Sequence, residues 1–108
     1  MATVMLRTLA HSRTGDKGDT SNISVIAYRQ EDYAVLRAEV TVERVQAFFA
    51  ELLPAGAVVT RYELPGLGAL NFVLPGILRG GVTRALALDA HGKCLGAGLL
   101  VMGIEVVD

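Results

Sequence analysis

Short alternating segments bounded by turn residues fill most of this chain, and one stretch carries a clear helical period. Thr3 to Ala10 sets Val4 and Leu6 against Met5 and Leu9, the period-two pattern of a strand. Ile23 to Tyr28 predicts a second strand. From Thr41 to Leu53 the period changes. Val42, Val45, Phe48, Phe49, Leu52 and Leu53 share one helical face, and Glu43, Arg44, Gln46 and Glu51 the other. Thr41 suits the N-cap, Glu43 the first turn, and Pro54 with Gly56 stops the helix. A short helical turn over Asp32–Glu39 is expected to precede it.

Ala57 to Leu64 predicts a third strand, with Val58, Thr60, Tyr62 and Leu64 facing away from Val59, Arg61 and Glu63. Pro65-Gly66-Leu67-Gly68 ends it. Pro75-Gly76 breaks a regular helix, so Ala69–Leu78 is expected to form a short helix or an irregular segment. Val82–Asp89 predicts a fourth strand and Ala90–Lys93 a hairpin turn, with Gly92 at positive φ. Cys94–Val107 predicts a long fifth strand, with Leu95, Leu99 and Val101 on one face and Leu100, Met102, Ile104 and Val106 on the other. Five mostly antiparallel strands, one long helix and one short helical segment make an α+β sandwich with its helices on one face. The final strand is apolar on both faces, which predicts another chain, a copy or a different partner, over the uncovered one. The alternative is a sheet curled enough to bury its own interior.

A length of 108 residues fits a single domain over 1–108 that folds without a disulfide or metal. With 52% apolar and 19% charged residues the chain is globular rather than disordered. A net charge of −1, no basic block and no tryptophan argue against nucleic-acid binding. Cys94 is the only cysteine, which fits a reducing compartment and leaves an inert buried thiol as its expected state. No apolar segment is long enough to span a bilayer, and the first residues lack a secretory pattern. These features predict a cytoplasmic protein that binds no membrane.

The run from Ala10 to Asn22 is almost entirely polar, charged or glycine and exceeds an ordinary turn, so it is the first candidate site. Gly15 and Gly18 permit positive φ, and such turns expose successive N–H groups as an anion nest. Arg13 suits a bidentate grip on a carboxylate or phosphate, and Lys17 adds a point charge. Asp19, Thr20 and Asn22 complete the binding set, and Asn71 is a candidate toward a ligand carbonyl. An imidazole is the side chain best suited to carry a proton near neutrality, so His11 is the natural proton carrier, with Asp16 the second catalytic candidate. The run is not a phosphate-binding P-loop, because Lys17 precedes its second glycine. Two readings compete with a ligand site: Asp16 and Asp19 holding local backbone N–H groups, or a rigid element that docks a partner. The ligand set is too small for a metal, and no cofactor is implied. His91 receives no role. Arg61 and Glu63 share a strand face and are expected to pair.

The string His11-x-Arg13-x-Gly15-Asp16-Lys17-Gly18-Asp19-x-x-Asn22-Ile23 resembles the signature of the AtuA family, the acyclic terpene utilisation protein A group. It is most similar to that family's small C-terminal ferredoxin-fold domain, which also occurs as a separate short chain. Arg61-Tyr62-Glu63-Leu64-Pro65, Ala69-Leu70-Asn71-Phe72, Gly80-Gly81-Val82 and Leu88-Asp89 follow in the same order. Ser12 and Thr14 stand where Ala and Ser are expected, and Arg84 stands near a small hydroxyl position. The resemblance implies a ferredoxin-like sandwich and a larger AtuA N-terminal-like polypeptide as partner, in a homo- or hetero-oligomer. It implies a setting in acyl-CoA, organic-acid or terpenoid catabolism, and leaves open whether the small chain has an activity of its own. The alternative is a non-catalytic dimeric assembly module whose polar loop docks a partner protein.

Overall fold

A computed structural model describes residues 2–77 and 94–106. Strand β1 (Ala2–Met5) runs into a 3-10 turn at Leu6–Thr8, so the strand expected through Ala10 divides in two. The second piece opens β2 (Ala10–Lys17), which turns back directly into β3 (Thr20–Ala27). The polar run is therefore a β-hairpin and not a loop. Lys17 pairs with Thr20, leaving Gly18 and Asp19 as a two-residue turn, and Gly18 adopts φ +64° there. A Cβ is unfavourable in that conformation, which is why glycine sits at this bend.

Helix α1 (Tyr33–Glu39) matches the expected short helical turn. Helix α2 (Val42–Phe48) begins where expected, and the Arg44 N–H donates to the Thr41 Oγ1 at 3.2 Å. It ends at Phe48 rather than Leu53, so the long helix is two turns, followed by turns that Gly56 helps close at φ +82°. Strand β4 covers Thr60–Leu64. Ala57–Val59 is held instead by Gln46, which donates from Nε2 to the Ala57 carbonyl at 2.7 Å.

Two expectations fail. Ala69–Leu74 is strand β5, and it lies between β3 and β4 in the sheet order β2-β3-β5-β4, antiparallel throughout. Pro75-Gly76 terminates this strand rather than interrupting a helix. Cys94–Leu99 is helix α3, and only Gly103–Val106 is strand, β6, paired with β1 in a separate ribbon. The buried positions Leu95, Leu99 and Met102 recur at helical spacing. Gly96 lets the helix backbone close on β2: a Cβ there would overlap the Thr14 Oγ1 and lie 2.8 Å from the Ser12 Oγ. The doubly apolar final strand therefore does not exist, and neither does the case for a covering chain built on it. The strand expected over Val82–Asp89, the turn at Ala90–Lys93, Gly80, Gly81, Arg84, His91 and the Cys94 side chain lie outside the described residues.

One face of the four-stranded sheet carries the core. Ile23 and Val25 of β3 and Leu70, Phe72 and Leu74 of β5 pack with Tyr33, Leu36, Val40, Val45, Leu95, Leu99 and Ile104. Complete burial of such side chains contributes about 1.5–3 kcal/mol each. Arg44 joins the layers: it donates to the Glu39 carbonyl at 3.0 Å, to the Glu39 Oε1 at 3.3 Å and to the Gly103 carbonyl. The same Glu39 Oε1 accepts from the Glu105 N–H at 2.8 Å. Arg44 and Gln46, expected on the polar face of the helix, are thus half-buried clamps between segments. Arg61 pairs with Glu63 at 3.1 Å as expected and also donates to the Arg37 and Val40 carbonyls, closing the end of α1.

Two substitutions test this packing. Gly96→Ala is expected to cost about 1–3 kcal/mol in urea unfolding, because β2 must shift to admit the methyl group. The Tyr33 hydroxyl is buried, with no hydrogen-bond partner among the described residues. Tyr33→Phe removes a desolvated donor and is expected to leave stability unchanged or raise it by up to about 1 kcal/mol.

Candidate functional site

Directly opposed residues in an antiparallel sheet share a face, so the registers assign each candidate to one side. Ala10, Ser12, Thr14 and Asp16 oppose Ala27, Val25, Ile23 and Ser21, on the core side. His11, Arg13, Gly15 and Lys17 oppose Ile26, Ser24, Asn22 and Thr20, on the outer side. The outer side continues through Asn71 and Val73 of β5 to Thr60, Tyr62 and Leu64 of β4. One row across the sheet reads Arg13, Ser24, Asn71, Tyr62. The next reads Gly15, Asn22, Val73, Thr60. No described helix covers this face.

The outer face is preorganised by side-chain contacts. Asn71 donates from Nδ2 to the Ser24 Oγ at 2.8 Å, a cross-strand bond beside Arg13. Gly15 makes room for Asn22: a Cβ at Gly15 would stand 3.2 Å from the Asn22 Nδ2 and 3.3 Å from its Oδ1. The Ser21 hydroxyl, almost fully buried on the opposite side, donates to the Gly15 carbonyl at 3.1 Å and fixes that strand position. His11 stacks on Tyr28 with ring centroids 5.3 Å apart. Arg13 and Lys17 are both exposed and lie four strand residues apart, about 13 Å.

Six residues predicted from the sequence therefore share the outer face, spread over about 20 Å of strand: His11, Arg13, Gly15, Lys17, Asn22 and Asn71. Thr20 joins them at the hairpin end. Asp16 does not, because it lies on the other face and about 16 Å along the strand from His11. The two catalytic candidates cannot share a proton. The anion nest expected from Gly15 and Gly18 does not form either. Gly15 is extended and paired with Asn22, and only Gly18 is left-handed.

Sequence reasoning missed what surrounds the hairpin tip. Asp19 and Thr20 border a cleft of about 320 Å³ whose other walls are Pro54–Ala57 and Pro75–Gly76. Gly56 and Gly76, at φ +82° and +73°, shape those turns. Pro-Gly turns were visible in the sequence, but their convergence on Asp19 depends on the strand order. A second, more apolar cleft of about 390 Å³ lies between the β1–β6 ribbon and α1, lined by Val4, Leu9, Val35 and Val106 among others. Among the described residues no three His, Cys, Asp or Glu side chains converge as a metal centre requires. None of the described helices is long and apolar enough to cross a membrane.

The hairpin motif, the β3-β5-β4 sheet behind it and the closing β6 strand form one continuous pattern along the chain. The family profile described as the AtuA ferredoxin-like domain matches residues 4–105, nearly the whole sequence. Neither a curated protein nor a solved structure matches it. Motif, antiparallel α+β architecture and profile agree, and the chain belongs to the AtuA ferredoxin-like domain family.

Proposed function

We propose that this chain is the small subunit or detached C-terminal module of an AtuA-type assembly. It contributes the His11–Asn22 hairpin to a site for an acyl-CoA or a small carboxylic acid, in organic-acid or terpenoid catabolism. The supporting observation is the shared outer face, where Arg13 and Lys17 stand beside the Asn22, Ser24 and Asn71 side chains. In this reading the two cations take the carboxylate or phosphate oxygens. The amides take neutral oxygens, and His11 carries a proton at its imidazole. Asp16 drops out of the proton role because it lies on the other face. A larger AtuA N-terminal-like polypeptide supplies the opposing wall.

The second reading is an assembly module without catalytic duty. Tyr62 and Leu64, exposed on β4 of the same face, favour it, because exposed apolar side chains suit a protein surface.

Calorimetric titration of a short-chain acyl-CoA and its free acid into the chain, alone and with the larger polypeptide, separates the two. With the larger polypeptide present to exclude water, Arg13→Ala and Lys17→Ala are each expected to weaken binding about tenfold or more, as loss of a charge-assisted hydrogen bond of about 1.5–3 kcal/mol requires. Both side chains are exposed, so the melting temperature stays constant. Undiminished binding by both variants would sink the ligand reading. Loss of association with ligand affinity intact would establish the docking reading in its place.

A further inference from the structure

Strand β4 ends the four-stranded sheet, and four of its five residues are exposed. Among the described residues no strand pairs with its outer edge. An unpaired edge offers its N–H and C=O groups to another strand, and proteins usually guard against this with unpaired charges, proline or a bulge. Thr60-Arg61-Tyr62-Glu63-Leu64 contains no proline, its two charges already pair with each other at 3.1 Å, and its register with β5 is unbroken. Eight large apolar side chains are exposed among the described residues, and four of them line this one segment: Val58, Tyr62, Leu64 and Leu67.

The strand sequence identifies the occupant. Two copies joined edge to edge about a two-fold axis keep the same face outward, so odd-numbered residues meet odd and even meet even. With Tyr62 on the axis, Arg61 meets Glu63 of the partner subunit, and Glu63 meets Arg61 of the partner subunit. Thr60 meets Leu64 of the partner subunit. Sliding by one step in either direction centres the axis on Arg61 or on Glu63 and sets like charges face to face, which disfavours both alternatives. The Arg61 side chain is already held by the Arg37 and Val40 carbonyls, so pairing across the axis orders little that is not ordered before. A five-residue strand pair is small against the about 1,600 Å² of a standard interface. Val58, Tyr62, Leu64 and Leu67 supply the apolar area around it.

From this edge we infer that the chain forms a two-fold dimer through antiparallel β4–β4 pairing, joining two four-stranded sheets into one of eight strands. The outer faces of the two copies become continuous across the Tyr62 pair. The inference goes beyond the ligand reading and does not depend on it, since no residue of the β2–β3 hairpin takes part.

Light scattering over a dilution series gives the mass of the unsubstituted chain, and a dimer is expected. The register is read by cross-linking in a Cys94→Ser background, where an introduced thiol is the only one. Tyr62→Cys places two thiols directly opposite, within disulfide reach, and oxidation is expected to join the copies. Thr60→Cys places its counterpart about 13 Å away along the strands, and no cross-link is expected. Tyr62→Lys sets two ammonium groups on the axis and is expected to give a monomer with an unchanged far-ultraviolet spectrum. A monomer at every concentration would overturn the inference, including the case where only the larger polypeptide occupies the edge. So would a dimer that cross-links no better at 62 than at 60.

Discussion

Everything in this fold hangs on the two-residue alternation of β3, pinned between β2 and β5. Ile23 and Val25 face the helices and are fully buried, while Asn22 and Ser24 face away. A one-residue slip would bury both polar side chains and expose both apolar ones, so the register is strongly specified. That register then decides the sides of its neighbours. Pairing with β2 sends Arg13 and Lys17 outward, and pairing with β5 sends Asn71 outward while Phe72 enters the core. The core and the candidate site are two consequences of one constraint.

Much of this was legible, and the failures have physical causes. The helix cap at Thr41, the short α1 helix and the Arg61–Glu63 pair follow from local chemistry, and local chemistry is what a sequence displays. The polar run reads as a loop because β2 has almost no apolar residue to reveal a period. Its alternation of His11, Arg13, Gly15 and Lys17 with Ser12, Thr14 and Asp16 becomes visible only beside β3. In β5, the alternation of Leu70, Phe72 and Leu74 around Asn71 and Val73 was present, but Pro75-Gly76 drew attention to a broken helix instead of a terminated strand. Helix α3 was hidden for the opposite reason. Cys94–Leu99 is apolar or small all round and holds two glycines, each costing about 1 kcal/mol in a helix, so propensity does not mark it and the Leu95–Leu99–Met102 spacing has no polar face to set it off. Its close approach to β2 through Gly96 is a tertiary contact, which overrides propensity.

The site residues show the same division. The candidate residues fall on adjacent strands, and seven of them share a face. The sequence motif also joined His11 and Asp16, which only a register separates. The polar face of α2 was misjudged for a related reason. Arg44 and Gln46 look like solvent-facing residues at helical spacing, yet both reach backbone carbonyls of neighbouring segments. Long polar side chains beside a core can lay their stems along it and bond with their polar ends.

The geometry of the outer face also bears on whether the chain works alone. Arg13 and Lys17 are exposed to water. An ion pair formed there with a ligand is screened and contributes about 0–1 kcal/mol, as surface pairs do. A sheet face excludes little water by itself, and the two clefts described above, at the hairpin tip and behind the ribbon, are not lined by Arg13. The same charges act far more strongly once a second surface lowers the local dielectric around them. A cationic, amide-rich sheet face that is preorganised by Asn71–Ser24 and Gly15–Asn22, but not enclosed by the described elements, has the form of half a site. The physical argument for a companion therefore does not need an apolar strand with a missing cover. On the proposed ligand reading it rests on Arg13 and Lys17 standing where, among the described residues, no second surface desolvates them.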